Sequence, residues 1–247
     1  VNTAISTALI LTDPRFDFSD AYIISTGSAG SVRETTVMGD VIIATACIDY
    51  DLGHHADPRE LVFPSDTTWF HAETYDSSSY KILNQELAHK VYDLVKDTEI
   101  ETSERTKNFM AAAFPGEEWA TRDPQVLLGT TTSGDNFWKG EYDEANAKLQ
   151  AETYGVPDPY AVTEMEDIAV AVALDRLGML DRYIVIRDSV NMDVFMNGAG
   201  PESTWGDYTV PIAPGSRPET ADIFPIAMEN NYKVGKVLID AILAGTF

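Results

Sequence analysis

A single cysteine, Cys47, stands among 247 residues, which excludes an internal disulfide framework and any cysteine-based zinc site. Lodged between Ala44-Thr45-Ala46 and Ile48, it reads as a small hydrophobe on a strand, with a reactive thiol as the alternative. Basic residues are scarce too: 17 Lys and Arg face 40 Asp and Glu, for a formal net charge of −23. Phosphate backbones are held by Lys and Arg, so nucleic acid polymers are excluded as partners. Acidity otherwise implies only solubility and self-repulsion. No apolar run approaches the roughly 20 residues that a membrane span requires. Histidine is sparse, at four residues. His54-His55 beside Asp51 and Asp57 admits a metal reading, but solvated polar surface accounts for it, and His71 and His89 stand alone. The opening Val1-Asn2-Thr3-Ala4 leads into an apolar helical stretch with no basic n-region, so it reads as a processed or truncated start rather than a signal peptide.

What is plentiful is apolar: 44% of residues are hydrophobic and 10% aromatic, which excludes disorder and fibrous repeats and leaves enough chain for one sizeable core. Short Val- and Ile-rich runs read as strands buried on both faces: Ala21-Tyr22-Ile23-Ile24, Val41-Ile42-Ile43, Val126-Leu127-Leu128, Tyr160-Ala161-Val162 and Tyr183-Ile184-Val185-Ile186. Between them lie helical stripes. Ile82, Leu83, Leu87, Val91, Leu94 and Val95 form one. Glu166 to Gly178 forms another, and a last one carries Val234, Val237, Leu238, Ala241 and Ile242 before Gly245. Alternating strands and helices predict an α/β domain with a central mixed or parallel sheet flanked by helices. Residues 194–225 differ: they hold five of the twelve prolines and read either as a lid over a site or as a variable surface excursion.

Polar residues gather where the strand runs stop. Ile23-Ile24 leads into Ser25-Thr26-Gly27-Ser28-Ala29-Gly30, and Val126-Leu127-Leu128 into Gly129-Thr130-Thr131-Thr132-Ser133-Gly134-Asp135-Asn136-Phe137-Trp138. Ala161-Val162 leads into Thr163-Glu164-Met165-Glu166, and Ile184-Val185-Ile186 into Arg187-Asp188-Ser189-Val190-Asn191. Each alone is explained by a tight turn or the acidic first turn of a helix. Together, at the carboxyl ends of strands in an open α/β sheet, they predict one shared pocket. Gly27 and Gly30 let backbone N–H groups approach a ligand, with the Ser28 hydroxyl beside them. Glu166, acceptor-only when ionised, suits two vicinal hydroxyls, and Met165 offers an apolar face to a sugar. Phe137 and Trp138 can stack on a flat heteroaromatic ring, and Asn191 can both donate to and accept from a base edge. That combination describes a nucleoside.

Five of these motifs, in order, resemble the purine nucleoside phosphorylase and nucleosidase superfamily, and within it most closely the purine nucleoside permeases. They are Asp13-Pro14-Arg15-Phe16-Asp17, Thr26-Gly27-Ser28-Ala29-Gly30, Phe137-Trp138-Lys139-Gly140, Met165-Glu166-Asp167 and the segment from Arg187 to Asn191. Gly39-Asp40-Val41, Ser133-Gly134-Asp135-Asn136 and the closing Tyr232-Lys233-Val234-Gly235 also resemble it. The resemblance implies a nucleoside phosphorylase-like α/β domain over residues 1–247, assembled as a homo-oligomer, with neither a metal nor a cofactor. It also places Val1 just after the family's first glycine-bearing loop. On that comparison the opening strands are absent from this chain, either cleaved and retained as an attached N-terminal fragment or not included.

The residues implied to be catalytic are Asn191, Glu166 and Ser28; those implied to bind substrate are Thr26, Gly27, Phe137, Trp138, Glu164, Met165, Arg187 and Asp188. Glu166 would take the ribose 2′- and 3′-hydroxyls, Met165 would pack on the ribose, and Ser28 would hold the nucleophile. Two departures from the superfamily pattern matter. Asn191 stands where many members carry an acidic proton donor to purine N7; an amide can hydrogen-bond N7 but cannot protonate it. Asp188 or Asp193 is the alternative proton source, each also readable as a capping or surface carboxylate. Ser25 stands where phosphorylases carry a phosphate-clamping arginine. The expected activity is therefore hydrolysis of a purine nucleoside such as inosine, guanosine or adenosine to base and ribose. Phosphorolysis and non-catalytic nucleoside binding or uptake are the alternatives. Acidity without disulfides or a recognisable targeting signal is compatible with a secreted or periplasmic location, and equally with a soluble intracellular one.

Overall fold

The apolar runs expected as strands are the opening halves of longer ones. A computed structural model describes residues 2–62, 67–195, 209–210, 219–220 and 222–247. Its central sheet has six strands: β1 (Ile23–Ser31), β2 (Val41–Asp49), β3 (Tyr80–Ile82), β4 (Val126–Ser133), β5 (Tyr160–Glu164) and β6 (Tyr183–Met192). They lie in the order β3-β2-β4-β5-β1-β6. Pairings β2–β4, β4–β5 and β1–β6 are parallel, and β1–β5 and β2–β3 antiparallel, so the sheet is mixed as expected. Residues 26–30 are a correction: they continue β1 rather than turning out of it. Strand reading by apolarity stopped early because the second halves are polar: Thr and Ser fill that of β4, and Asp188, Ser189 and Asn191 interrupt that of β6, yet Thr in particular suits an extended chain.

The sheet closes on itself. The start of β2 pairs antiparallel with β6, Val41 opposite Asp188 and Ile43 opposite Ile186, so β2, β4, β5, β1 and β6 form a ring. Closure requires bending, and each of the three parallel pairings carries a register shift that acts as a bulge: at Ala44/Ala46, at Thr130/Thr131 and at Ala29/Gly30. The ring is narrow. A Cβ on Gly129 of β4 would lie 2.4 Å from the Cβ of Ala161 on β5.

Among the described residues, six helices of ten residues or more cover the ring: α1 (Asn2–Leu11), α2 (Gln85–Val95), α3 (Glu104–Ala113), α4 (Glu141–Tyr154), α5 (Asp167–Leu177) and α6 (Ile223–Leu243). α2 starts three residues later than its apolar stripe, because Tyr80–Ile82 is recruited as β3 and Asn84 caps the helix by accepting from Leu87 N–H. Leu87, Val91 and Val95 then pack with Val234 and Leu238 of α6 on one side of the strands. Ile168, Ala171 and Leu174 of α5 pack with Ala44, Cys47 and Val185 on the other. Cys47 is fully buried there, and burial raises its thiol well above the usual range, as befits a packing residue. α5 ends as expected on Gly178 in the left-handed conformation, φ 68°. α6 begins eleven residues before its expected apolar stripe, and Pro225 sits in its first turn, where a missing N–H costs nothing. The rest of the proline-rich stretch expected as a lid, residues 196–208, 211–218 and 221, lies outside the described residues. Among the described residues, no helix is long and apolar enough to cross a membrane.

Asp40 ties the loops at the head of the ring. Its carboxylate, with no exposed surface, accepts from Val37 N–H (2.8 Å) and Gln125 N–H (2.7 Å) and receives both terminal nitrogens of Arg122. Removing one partner of such a buried pair leaves the others uncompensated. Asp40→Ala should therefore lower the free energy of unfolding by about 3–5 kcal/mol, read as an earlier urea midpoint in tryptophan fluorescence, with Asp40→Asn falling between it and the parent.

Candidate functional site

The second halves of β1, β4, β5 and β6 do converge, on a cavity of about 360 Å³, within the range of small-molecule sites. Of the residues singled out by sequence, Ser28, Phe137, Trp138, Glu164, Met165, Glu166 and Asn191 line it. Thr26, Gly27, Arg187 and Asp188 do not; they stand behind the lining and hold it.

Arg187 is the centre of that support. It is 4% exposed, and its guanidinium grips Asp167 through Nε (2.9 Å) and Nη2 (2.6 Å) while Nη2 also reaches Glu164 (3.3 Å) and Glu166 (3.2 Å). Gly27 is required for this: a Cβ there would lie 2.8 Å from Arg187 Nη1. Glu164 is saturated. One carboxylate oxygen accepts from the Ser133 hydroxyl, and the other from Glu166 N–H (2.5 Å) and Asp167 N–H (2.8 Å), which gives the first free N–H of α5 a partner. Burial, then the neighbouring Asp167 charge, push Glu164 up to about 7 against the pull of Arg187. Glu164 therefore borders the cavity as a strut. Glu166 is different: its side chain is 44% exposed, anchored at one oxygen by Arg187, with the other oxygen available to a ligand.

A second set of bonds fixes Ser28. Its hydroxyl donates to Asp188 Oδ2 (3.1 Å); Asp188 Oδ1 accepts from Asn231 Nδ2 (2.6 Å), and Asn231 Oδ1 accepts from the Thr26 hydroxyl (2.6 Å). Both Asp188 oxygens are thus occupied. Burial raises its pKa, while the Asn231 and Ser28 bonds restrain it. Asn231, on the buried face of α6, was not foreseen, because an asparagine within an apolar helix stripe gives no local signal of a partner so distant in sequence.

The bulge opposite Ala29/Gly30 inserts Val190 into β6, so Val190 and Asn191 both border the cavity despite being adjacent. Asp193, set aside as a minor candidate by sequence, borders it too. It is buried, which pushes its pKa up to about 7 although the Tyr160 and Thr163 hydroxyls donate to it. Phe137, 82% exposed, and Phe224, 46% exposed, line the cavity, and Trp138 stacks on Tyr50 with centroids 4.8 Å apart. Phe224 escaped the sequence reading because it fell in the stretch taken for a loop. Among the described lining residues none is Lys, Arg or His. A smaller cavity of about 190 Å³ shares Met165 and is bordered by Asp49, Asp51 and Asp135; burial pushes Asp49 up to about 6.

Residues 1–246 match the family model described as purine nucleoside permease. A probable purine nucleoside permease of Schizosaccharomyces pombe is 24% identical over 98% of this chain and 72% of its own length. A 5′-methylthioadenosine/S-adenosylhomocysteine nucleosidase of Bacillus velezensis is 30% identical over 83% of this chain and 73% of its own. Among solved structures, the nucleosidase of the same description from Neisseria meningitidis, in complex with methylthio-immucillin-A, superposes with a TM-score of 0.53 at 18% identity, covering 97% of this chain and 76% of that one. It shares the fold.

Replacing Arg187 with Met should cost about 3–5 kcal/mol in urea unfolding, because two buried carboxylates lose their counter-charge. Arg187→Lys should recover only part of that, since an ammonium cannot fork between Asp167 and Glu166.

Proposed function

Because the chain belongs to the purine nucleoside permease family, we propose that its cavity binds purine nucleosides and cleaves their N-glycosidic bond with water, releasing the base and ribose. The observation that carries this reading is the lining itself. One half-exposed carboxylate, Glu166, stands beside the Met165 thioether, a pair of aromatic residues, an amide at Asn191 and a hydroxyl at Ser28.

Glu166 accepts from the ribose 2′- and 3′-hydroxyls, with Arg187 holding it in place, and Met165 packs on the sugar. Phe137, Trp138 and Phe224 enclose the base. Asn191 bonds the base edge, and Ser28, oriented by Asp188, holds the water. As the bond to the base lengthens, the ribose becomes oxocarbenium-like, and the carboxylate of Glu166 stabilises that positive charge more than it stabilises the neutral substrate.

Water is favoured over phosphate by charge. The described lining offers no cation, and Arg187, which stands behind it, is already shared by three carboxylates. A phosphate dianion would meet Glu166 without a counter-charge, as would a nucleotide 5′-phosphate beside Asp49, Asp51 and Asp135. The nucleosidase activity named for the Bacillus velezensis relative supports the same direction. The family name favours a second reading, nucleoside binding for uptake, and the test separates the two.

Incubated with inosine, the protein should release hypoxanthine and free ribose at a rate independent of phosphate, and should leave inosine monophosphate intact. Ribose 1-phosphate formed only with phosphate would overturn hydrolysis, and calorimetric binding without products would establish the binding protein. Glu166→Ala should lower kcat/KM by about 10²-fold or more, the worth of two charge-assisted hydrogen bonds. The variant should no longer distinguish inosine from 2′,3′-dideoxyinosine.

A further inference from the structure

Asn191 cannot supply a proton, and the hydrolytic reading leaves one lining carboxylate without a task. Asp193 lies in the bend just past β6, two residues beyond Asn191, and both side chains reach Gly30 and border the cavity. Its backbone is pinned at both ends: its N–H donates to Ser31 O (2.9 Å), and its carbonyl accepts from Gly140 N–H (2.8 Å). The side chain is asymmetric. Oδ2 accepts from the Tyr160 hydroxyl (2.6 Å) and the Thr163 hydroxyl (2.7 Å). None of the described residues donates to Oδ1, which rests against Gly30. A Cβ on Gly30 would lie 1.9 Å from that oxygen and 3.1 Å from Asn191 Nδ2. Only glycine allows the two groups to meet there, and Gly30, Asn191 and Asp193 all border the cavity.

The other carboxylates are committed. Both oxygens of Asp188 and of Glu164 accept from protein donors, and Glu166 is paired with Arg187 and given to the sugar. A carboxyl whose Oδ2 is filled by two hydroxyls carries its proton on Oδ1. We propose that Asp193 is the general acid of the reaction, giving the Oδ1 proton to the imidazole nitrogen of the purine while the Asn191 amide orients the same edge. The inference rests on the hydrolytic reading above.

The bond that breaks joins the ribose C1′ to the base, and its electron pair leaves with the purine. The proton from Asp193 makes that purine a neutral leaving group. Water adds to C1′ and loses a proton, which restores the acid, so nucleoside and water balance base and ribose with no further reactant.

The surroundings suit an acid working near neutral pH. Burial pushes Asp193 up to about 7, and Glu144 of α4 pushes the same way, whereas the Tyr160 and Thr163 hydroxyls and the Lys139 ammonium pull down. A general acid acts only while protonated, so kcat/KM for inosine should fall as pH rises through this pKa.

Two variants test the assignment. Asp193→Asn keeps the shape but not the proton: on inosine its kcat/KM should fall by about 10²–10⁴-fold and its alkaline limb should vanish. On p-nitrophenyl β-ribofuranoside, whose leaving group departs as a stable anion, it should stay within about tenfold of the parent. Tyr160→Phe removes a donor that holds the pKa down, so the alkaline limb on inosine should move to higher pH. An Asp193→Asn variant that keeps full activity on inosine, or that loses both substrates equally, would overturn the proposal. A parent protein that releases no base from inosine defeats the hydrolytic reading itself, a result seen before any variant is made.

Discussion

One buried guanidinium holds the site together. Arg187 comes from the middle of β6, yet its partners Glu164, Glu166 and Asp167 come from the junction of β5 and α5. Taking such charges out of water is costly, and the arrangement is stable only because nearly every donor and acceptor finds a partner. The consequence for chemistry is rigidity. Glu166 is fixed at one oxygen by a cation that is itself fixed at three points. That ion pair restrains the carboxylate before any ligand arrives. Burial first, and then the neighbouring Asp167 charge in a region where one cation serves three carboxylates, push Glu164 towards neutrality.

The closed ring explains why polar residues are found on strands at all. The second halves of β4 and β6 carry Thr131, Thr132, Ser133, Ser189 and Asn191, side chains that in an open loop would be solvated and mobile. On the strands they are buried or nearly so. The bulge at Val190 then breaks the alternation and turns two neighbouring side chains to the cavity. The site is made of strand irregularities as much as of side chains.

Much of this was legible in the sequence, and the exceptions share a physical cause. Apolar runs located every long strand of the ring and four of the helices, because burial leaves the strands continuously apolar and gives most of the helices an apolar stripe, signals that local reading can detect. The grouping of Ser28, Phe137, Met165, Glu166 and Asn191 was legible because each lies where such a run stops. Phe224 and Asn231 were invisible, since their roles depend on α6 crossing the ring, a contact between distant parts of the chain. Arg187 and Asp188 were read as facing a ligand and stand behind the wall instead. Residue type says that a guanidinium or carboxylate needs a partner, but not whether the protein supplies it. Gly30 was read as giving room to a ligand; in the fold it gives room to Asp193.

The pairing of β2 with β6 joins an early strand to a late one, and that has a bearing on how the chain acquires its fold. Contacts so far apart in sequence must meet the entropy of closing a long loop before they return any energy, so ring closure belongs late in folding. Arg187 and Asn191 ride on the closing strand. A chain emerging during synthesis can bury α2 against β2 and β4 well before it owns a cavity, and the Glu166 carboxylate has no cation to steady it until the last third has arrived. Assembly of the site and completion of the fold are then one event, so the cavity exists only in molecules that have finished folding.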